Sequence, residues 1–167
     1  DTAQSYFNEE KVGQALAESG IPRRDIFLTT KVWVEHYGYE ETKKSVYISL
    51  EKLKTEYLDL MLLHQPFADY YGAYRALEDL YTEGVIRAIG VSNFYPDRLV
   101  DIANFARIVP MVNQVETHPL NQQTEAMKWM KKYDVQIEAW APFGEGRGGL
   151  FENDVLTAIC LLYTSPS

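Results

Sequence analysis

The stretch Leu58-Asp-Leu-Met-Leu-Leu-His-Gln-Pro66 contains the most apolar run of the chain and ends abruptly in polar residues. A continuous apolar run of about four to eight residues is typical of a strand that is buried on both faces, as in a parallel sheet. His64 and Gln65 follow where this strand leaves the sheet. The pattern predicts a buried strand whose carboxyl end carries polar groups.

The same unit recurs with a period of about thirty residues, the size of a βαβ unit. Further strands are predicted at 26–31, 86–91, 109–115 and 136–140. Amphipathic stretches with apolar residues at helical spacing separate them. They predict helices at 8–19, 40–54, 70–83, 96–105 and 121–133, with one more beginning at Asn153. Asn8 and Asn121 are the predicted N-caps of the first and fifth helices, and Pro96 suits the first turn of the fourth. This alternation on short connections favours a parallel sheet built from right-handed βαβ units.

Each predicted strand ends in residues that a buried core would not select. The endings are Lys31-Val-Trp33, His64-Gln-Pro66, Ser92-Asn-Phe94, Asn113-Gln-Val-Glu116 and Trp140-Ala-Pro142. An open doubly wound sheet gathers its ligand at one switch point, whereas a TIM barrel uses the ends of nearly all its strands. We therefore expect an α/β fold of the (β/α)8 TIM barrel type. The barrel is incomplete here, because the chain accounts for five strands and the end of a sixth.

Composition narrows the classes of function. The 167 residues include 16 basic and 24 acidic ones, a formal charge of 16 − 24 = −8, which argues against a nucleic-acid surface. No apolar run is long enough for a membrane span. A single cysteine, Cys160, leaves no internal disulfide or multi-cysteine zinc site and fits a cytoplasmic protein. The three histidines lack metal-binding spacing, so no metal site is predicted, and the oligomeric state stays open.

Taken singly, the polar residues at the strand ends are ambiguous. Lys31 is compatible with an ordinary surface lysine. His64 is compatible with a hydrogen-bonded core histidine as well as with a catalytic one. Tyr6 is one of twelve tyrosines, so alone it suggests no more than packing.

The segment Gly144-Glu-Gly-Arg-Gly-Gly149 matches the letters of the dinucleotide fingerprint G-x-G-x-x-G. In that fingerprint a helix opens within the motif and its N-terminus holds the pyrophosphate. The first good helix cap here is Asn153, which is too late. We favour a flexible loop over the rim of the barrel.

Six motifs occur in a fixed order: Asp-Thr-Ala-x-x-Tyr-x-Asn-Glu at 1–9, Thr-Lys-Val-Trp at 30–33, Asp-Leu-Met-Leu-Leu-His at 59–64, Gly-Val-Ser-Asn-Phe at 90–94, Asn-Gln-Val-Glu-x-His-Pro at 113–119 and Ala-Trp-Ala-Pro-Phe-Gly at 139–144. The set resembles the aldo-keto reductase family over residues 1–159, most of all its bacterial 2,5-diketogluconate reductase-type members. The resemblance implies NADPH-dependent reduction of an aldehyde or ketone, a small-molecule substrate, on a TIM barrel without a metal.

The resemblance places a catalytic tetrad on Asp1, Tyr6, Lys31 and His64. Hydride arriving at a carbonyl carbon leaves charge on the oxygen, so the site needs a proton donor, and an ordinary tyrosine with a pKa near 10 is a weak one. A neighbouring ammonium favours the phenolate. Lys31 is expected to supply that charge, Asp1 to hold Lys31, and His64 to orient the substrate oxygen.

The resemblance also implies cofactor contacts. Ser92, Asn93 and Gln114 match positions that hydrogen-bond the nicotinamide carboxamide, and Trp140 matches the aromatic residue, often tyrosine, that stacks on the ring. Trp33 and Gln65 are expected to line the substrate pocket, with a purely structural Trp33 as the alternative. NADH is not separated from NADPH, since the family's 2′-phosphate contacts lie in a part that this chain does not match.

Relative to the family pattern, the chain lacks the first strand and helix, most of the second strand, the eighth strand and the final helix. We expect residues 1–159 to form a partial barrel with little activity of its own. Residues 160–167 leave the helical pattern for Ser/Thr/Pro punctuation, which suggests a non-native or frame-shifted tail. The alternative to an active reductase is a protein of the same fold that binds a nucleotide or a partner with weak or no turnover.

Overall fold

Five parallel strands lie side by side in the order in which they occur in the chain. The computed structural model describes the backbone of residues 1–163 and the side chains of residues 1–160. Its strands are β1 (Thr29–Val32), β2 (Leu60–Leu63), β3 (Ile89–Ser92), β4 (Val112–Glu116) and β5 (Gln136–Trp140). Each pairs in parallel with the next. A sheet without a reversal of strand order has no switch point and corresponds to part of a (β/α)8 barrel wall, which confirms the predicted fold class.

Helices connect the strands and cover one face of the sheet. They are α1 (Glu9–Glu18), α2 (Tyr39–Leu53), α3 (Tyr70–Thr82), α4 (Pro96–Phe105), α5 (Thr124–Lys132) and α6 (Asp154–Tyr163). A 3₁₀ turn, Gln4–Tyr6, precedes α1. Among residues 1–163 no helix is both long enough and apolar enough to cross a bilayer.

The two faces of the sheet hold different side chains. Met61, Leu63, Ile89 and Val91 are buried in the apolar core together with residues of the helices. Because successive strand residues point to opposite faces, the residues between them belong to the other face. Lys31, Leu62, Gly90, Ser92 and Gln114 are therefore directed to the interior side of the barrel wall, and all five are buried.

Several predicted helix boundaries are confirmed. Pro96 opens α4, and the Asn153 side chain accepts a hydrogen bond from the Leu156 N–H at the start of α6. Asn8 occupies the N-cap position of α1, but its side chain accepts the Thr2 hydroxyl at 2.6 Å and caps no backbone N–H. That predicted capping interaction is wrong.

Four of the predicted starts lie three residues too early, namely those of β1, β3, β4 and α5. β1 begins at Thr29, because the N–H of Leu28 donates to the Asp59 carboxylate and no ladder partner precedes Leu60. α5 begins at Thr124, because Asn121 is engaged in reciprocal backbone hydrogen bonds with His118 and so cannot cap a helix.

The end of the chain was predicted to leave the helical pattern at 160, yet the backbone of α6 continues to Tyr163. Residues 164–167 lie outside the described residues. The interpretation of 160–167 as a tail of different origin stays a prediction.

Candidate active site

The carboxyl ends of β2, β3, β4 and β5 open onto one cavity of about 390 Å³. Parallel register places these ends at the same edge, where TIM barrels carry their active sites. The cavity is lined by Tyr6, His64, Gln65, Ser92, Asn93, Gln114, Trp140, Ala141 and Glu145. Seven of these nine are residues that the sequence assigned to a site.

Lys31 lies on β1 beneath this cavity and is 1% exposed. Its Nζ donates to Asp1 Oδ1 at 2.5 Å and to the Thr2 carbonyl at 3.1 Å. Burial lowers the pKa of Lys31, while the hydrogen bond and charge of Tyr6 and the charge of Glu138 oppose that shift. The ammonium is thus a desolvated charge held by a small set of partners.

Tyr6 closes the 3₁₀ turn above Lys31 and is 51% exposed. Lys31 Nζ lies 5.2 Å from the centroid of its ring. The turn is anchored through Gln4, whose Nε2 donates to Ser49 Oγ at 3.1 Å and whose Oε1 accepts the Trp33 N–H at 2.9 Å. The phenol is therefore held near the cation while its outer side stays open to solvent.

His64 follows β2 and stands between two aromatic rings. Its ring meets Tyr6 edge-on at a centroid distance of 5.7 Å and Trp33 at 5.2 Å. Burial and the charge of Lys31 lower the pKa of His64 to about 4. The imidazole is consequently neutral at physiological pH, and its Nδ1 lies 3.3 Å from Ser5 Oγ.

Ser92, Asn93 and Gln114 form one hydrogen-bonded row. Ser92 Oγ donates to the Gln114 carbonyl at 2.9 Å, and Asn93 Nδ2 donates to Ser92 Oγ and to the His64 carbonyl. Asn93 adopts a left-handed backbone with φ of 62°, a conformation that asparagine tolerates better than most residues. The row is a rigid wall of hydroxyl and amide groups.

Trp140 stands at the end of β5 on the same wall. Its Nε1 donates to Asn93 Oδ1 at 2.8 Å, so the indole plane is fixed by a hydrogen bond as well as by packing. Gln65 lines the cavity, and its backbone is held on both sides by the Tyr37 hydroxyl. Trp33 reaches the site through the His64 ring and is not among the residues that line the cavity.

Gln114 joins this wall to the tetrad. Its Nε2 donates to Asp1 Oδ2 at 3.0 Å and to Glu138 Oε1 at 2.6 Å. Asp1 therefore binds both Lys31 and Gln114. All four tetrad residues and the four predicted cofactor residues belong to one connected cluster.

Glu138 and Ser5 are site residues that the sequence reasoning missed. Glu138 could have been found, because it lies two residues before Trp140 on a strand and so shares its face. For Ser5 no signal was available, since a serine in a short turn is unremarkable by itself.

The Gly144–Gly149 segment is a loop, as the sequence predicts, and no α-helix opens within it. A 3₁₀ turn occupies Gly144–Gly146, and the next α-helix begins at Asp154, outside the motif. The segment contributes Glu145 to the cavity. Among the described side chains, no three of the His, Cys, Asp and Glu type are grouped so as to hold a metal ion.

The chain is similar in sequence to known reductases. The sequence profile described as the Aldo/keto reductase family matches residues 1–155. Glyoxal reductase of Bacillus subtilis is 49% identical over 160 residues, which cover 95% of this chain and 57% of that protein. Methylglyoxal reductase DkgA of Escherichia coli is 36% identical, covering 93% and 57%.

A solved structure shows the same fold over nearly all of this chain. The crystal structure of a Bombyx mori aldo-keto reductase in complex with NADP is 31% identical, with a TM-score of 0.90 over 98% of this chain and 60% of that one. The chain spans 57% of the length of the glyoxal reductase and of the methylglyoxal reductase.

Proposed function

This chain belongs to the aldo/keto reductase family, and on that premise we propose that it reduces the carbonyl group of an aldehyde or ketone to an alcohol, with Tyr6 as the proton donor. The observation that carries the proposal is the buried Lys31 ammonium 5.2 Å from the centroid of the Tyr6 ring, which lines the cavity together with His64. The names of the glyoxal and methylglyoxal reductases support the same class of reaction.

The proton comes from the Tyr6 hydroxyl. Negative charge develops on the carbonyl oxygen as the new C–H bond forms, and transfer of the phenolic proton completes the alcohol. The phenolate left behind is stabilised by the nearby ammonium of Lys31, because an opposite charge within a few ångströms favours the ionised form. Half of the Tyr6 surface faces solvent, so water can return the proton.

Asp1 keeps the Lys31 charge in place. A buried ammonium without a partner would lose its proton or move, since desolvation disfavours the charged form. Lys31 Nζ donates to Asp1 Oδ1 at 2.5 Å and to the Thr2 carbonyl at 3.1 Å, and these two hydrogen bonds hold it near the Tyr6 ring. Asp1 is thus a positioning residue for the cation.

His64 orients the substrate oxygen. Its ring is clamped between Tyr6 and Trp33, and it is neutral at physiological pH, so it acts as a hydrogen-bonding group rather than as an acid. Trp33 and Gln65 are the residues proposed to shape the substrate side of the pocket, Gln65 directly and Trp33 through His64.

The cavity wall fits a nicotinamide ring. Ser92, Asn93 and Gln114 together carry hydroxyl, amide N–H and amide oxygen groups, so they can both donate to and accept from a carboxamide. Trp140 offers a flat aromatic face. A nicotinamide dinucleotide bound there, which we propose to be NADPH, supplies the hydride. The NADP complex of the silkworm relative supports this class of cofactor.

The test is the loss of NADPH absorbance with a panel of aldehydes, ketones and α-dicarbonyls such as glyoxal and methylglyoxal. It is run on the full-length protein and on the 167-residue chain side by side. We expect turnover by the full-length protein and little by the chain alone. NADPH binding without turnover on any carbonyl would contradict the proposal and favour the nucleotide-binding alternative.

A further inference from the structure

The tautomer of the His64 ring decides what this residue can offer a substrate. A neutral imidazole carries one N–H, and the other nitrogen is an acceptor. A carbonyl oxygen only accepts hydrogen bonds, so it needs the N–H and is repelled by the lone pair. The lowered pKa of His64 keeps the ring neutral, so the choice of tautomer cannot be avoided by protonation near pH 7.

Ser5 lies against Nδ1 of the His64 ring and is not among the residues that line the cavity. Its Oγ is 3.3 Å from His64 Nδ1. Among the side chains of residues 1–160, Nε2 has no hydrogen-bond partner, and the ring itself lines the cavity. The edge-on contacts with Tyr6 and Trp33 restrain the ring from turning over.

The position of Ser5 is set by the turn that also carries Tyr6. Gln4, the residue before Ser5, is bound through its side chain to the Ser45 carbonyl at 3.3 Å and to Ser49 Oγ at 3.1 Å on α2. The hydroxyl of Ser5 is thus presented to His64 by an anchored segment and not by a free loop.

We propose that Ser5 is a positioning residue that fixes the His64 tautomer: its hydroxyl donates to Nδ1, which leaves the hydrogen on Nε2, directed into the cavity. Nε2–H then donates to the carbonyl oxygen of the substrate. The inference deepens the proposed function and rests on it for the identity of the acceptor. The hydrogen bond between Ser5 and His64 is independent of turnover.

Long-range ¹H–¹⁵N NMR of the ¹⁵N-labelled chain, without cofactor or substrate, reads the tautomer directly. The sequence has three histidines, and a His64→Gln variant identifies the signals of His64. We expect the hydrogen on Nε2 near pH 7 in the parent chain and in Ser5→Thr, which keeps the hydroxyl. In Ser5→Ala we expect a mixture of the two tautomers.

Ser49→Ala is the matched control. It removes a hydroxyl that anchors the same turn through Gln4, but it leaves the Ser5 hydroxyl in place. We expect it to keep the parent tautomer. A hydrogen on Nδ1 in the parent chain, an unchanged tautomer in Ser5→Ala, or the same mixture in Ser49→Ala would each overturn the proposal.

A kinetic readout separates this proposal from the proposed function. In the full-length protein we expect Ser5→Ala to lower kcat/KM by about 2- to 12-fold, the equivalent of one neutral hydrogen bond, with recovery in Ser5→Thr. The protein could show an Nε2–H tautomer that depends on Ser5 and yet reduce no carbonyl. That result would leave the role of Ser5 intact and refute the proposed function. Turnover that is unaffected in Ser5→Ala despite a mixed tautomer would refute the role of Ser5 in catalysis.

Discussion

At the scale of single residues, the Lys31 ammonium is charged in a place where burial opposes charge. Desolvation lowers its pKa, whereas the Tyr6 side chain and the charge of Glu138 oppose that shift. Glu138 takes part in this balance although it touches Gln114 and not Lys31. Asp1 and Glu138 both accept hydrogen bonds from the Gln114 amide, and Asp1 also binds Lys31, so the cation is connected to the row of Ser92, Asn93 and Gln114.

The lowered pKa of His64 predicts how the stability of the fold depends on pH. Its pKa is about 4 when folded and near 6.5 when unfolded, so between these values the unfolded chain binds a proton that the folded chain does not. Stability should therefore fall as pH falls from about 6.5 to about 4. In His64→Gln this part of the decline should disappear, measured as urea midpoints across that range.

The control for this series is His36→Gln, which removes a histidine that is exposed in a short turn. We expect this variant to keep the pH slope of the parent. Parallel slopes in His64→Gln and the parent chain would show that His64 is not the group responsible.

At the scale of elements, α1 and α2 approach each other closely at Gly13. A Cβ at this position would lie 2.2 Å from the Lys52 carbonyl oxygen and 2.8 Å from the backbone of Leu53. Because backbone atoms cannot turn aside, Gly13→Ala should push the helices apart and lower the free energy of unfolding by about 1 to 3 kcal/mol. Ala17→Ser, an exposed change on the same helix, should stay within about 0.5 kcal/mol. Equal stability of the two variants by chemical denaturation would rule out this close packing.

Asp59 ties the start of β1 to the start of β2. Its buried carboxylate accepts the Leu28 N–H at 2.9 Å and pairs with Arg23 at 2.8 Å and Arg87 at 3.2 Å. Burial raises the pKa of Asp59, but the hydrogen bond from Leu28 and the two guanidinium groups lower it by more. The pKa therefore lies below its ordinary value of 3.8. Its stabilising contribution is present at neutral pH and is lost on acidification below about 4.

Asp59→Asn should therefore lower the free energy of unfolding by about 1 to 3 kcal/mol at pH 7, since two guanidinium groups lose their common anion. The difference from the parent should shrink at acid pH, where the parent carboxylate is itself protonated. Asp97→Asn, at an exposed pair with a 3.8 Å separation, is the control and should have little effect. A constant difference at all pH values would contradict an ionic role.

The elements show what periodicity can and cannot predict. α4 and β5 have their predicted bounds, because Pro96 and the run 136–140 are local signals. β1 and α5 begin later than predicted, because the Asp59 carboxylate and the pairing of Asn121 with His118 are tertiary or turn interactions. Those partners lie up to about thirty residues away and leave no mark in the local pattern.

At the scale of the whole molecule, the described sheet is not closed. The outer edge of β1 receives one backbone hydrogen bond, from the Thr2 N–H to the Thr29 carbonyl at 2.9 Å, and the outer edge of β5 faces no strand among the described residues. Among residues 1–163, β1 pairs only with β2 and β5 only with β4. An unpaired strand edge is a template for another strand, so the 167-residue chain should associate as its concentration rises. Ala139→Lys, at an exposed position of β5, should weaken this association in sedimentation velocity.

The matched control is Ala15→Lys on the exposed side of α1, which makes the same change in net charge. It should leave association at the parent level. If both lysines reduce association equally, the effect is due to net charge and the edge of β5 is not the contact.

The sequence predicts most members of the candidate site as a set, but few of them from their own local sequence. Lys31, His64 and Tyr6 gained meaning only through the order of six motifs, since each is compatible with packing or surface alone. Glu138 was not predicted, because a glutamate on a strand is usually expected to face solvent. The register of the strands places it beside Gln114. Ser5 was not predicted, because its partner, His64, lies 59 residues later in the chain.

The central claim is that the Tyr6 hydroxyl, beside the Lys31 cation, protonates the reduced carbonyl. The most direct measurement is kcat of Tyr6→Phe in the full-length protein, with NADPH affinity followed by quenching of tryptophan fluorescence. We predict a loss of about 10²- to 10⁴-fold in kcat with unchanged NADPH affinity, as expected when a general acid is removed. Unchanged turnover in Tyr6→Phe would contradict the claim.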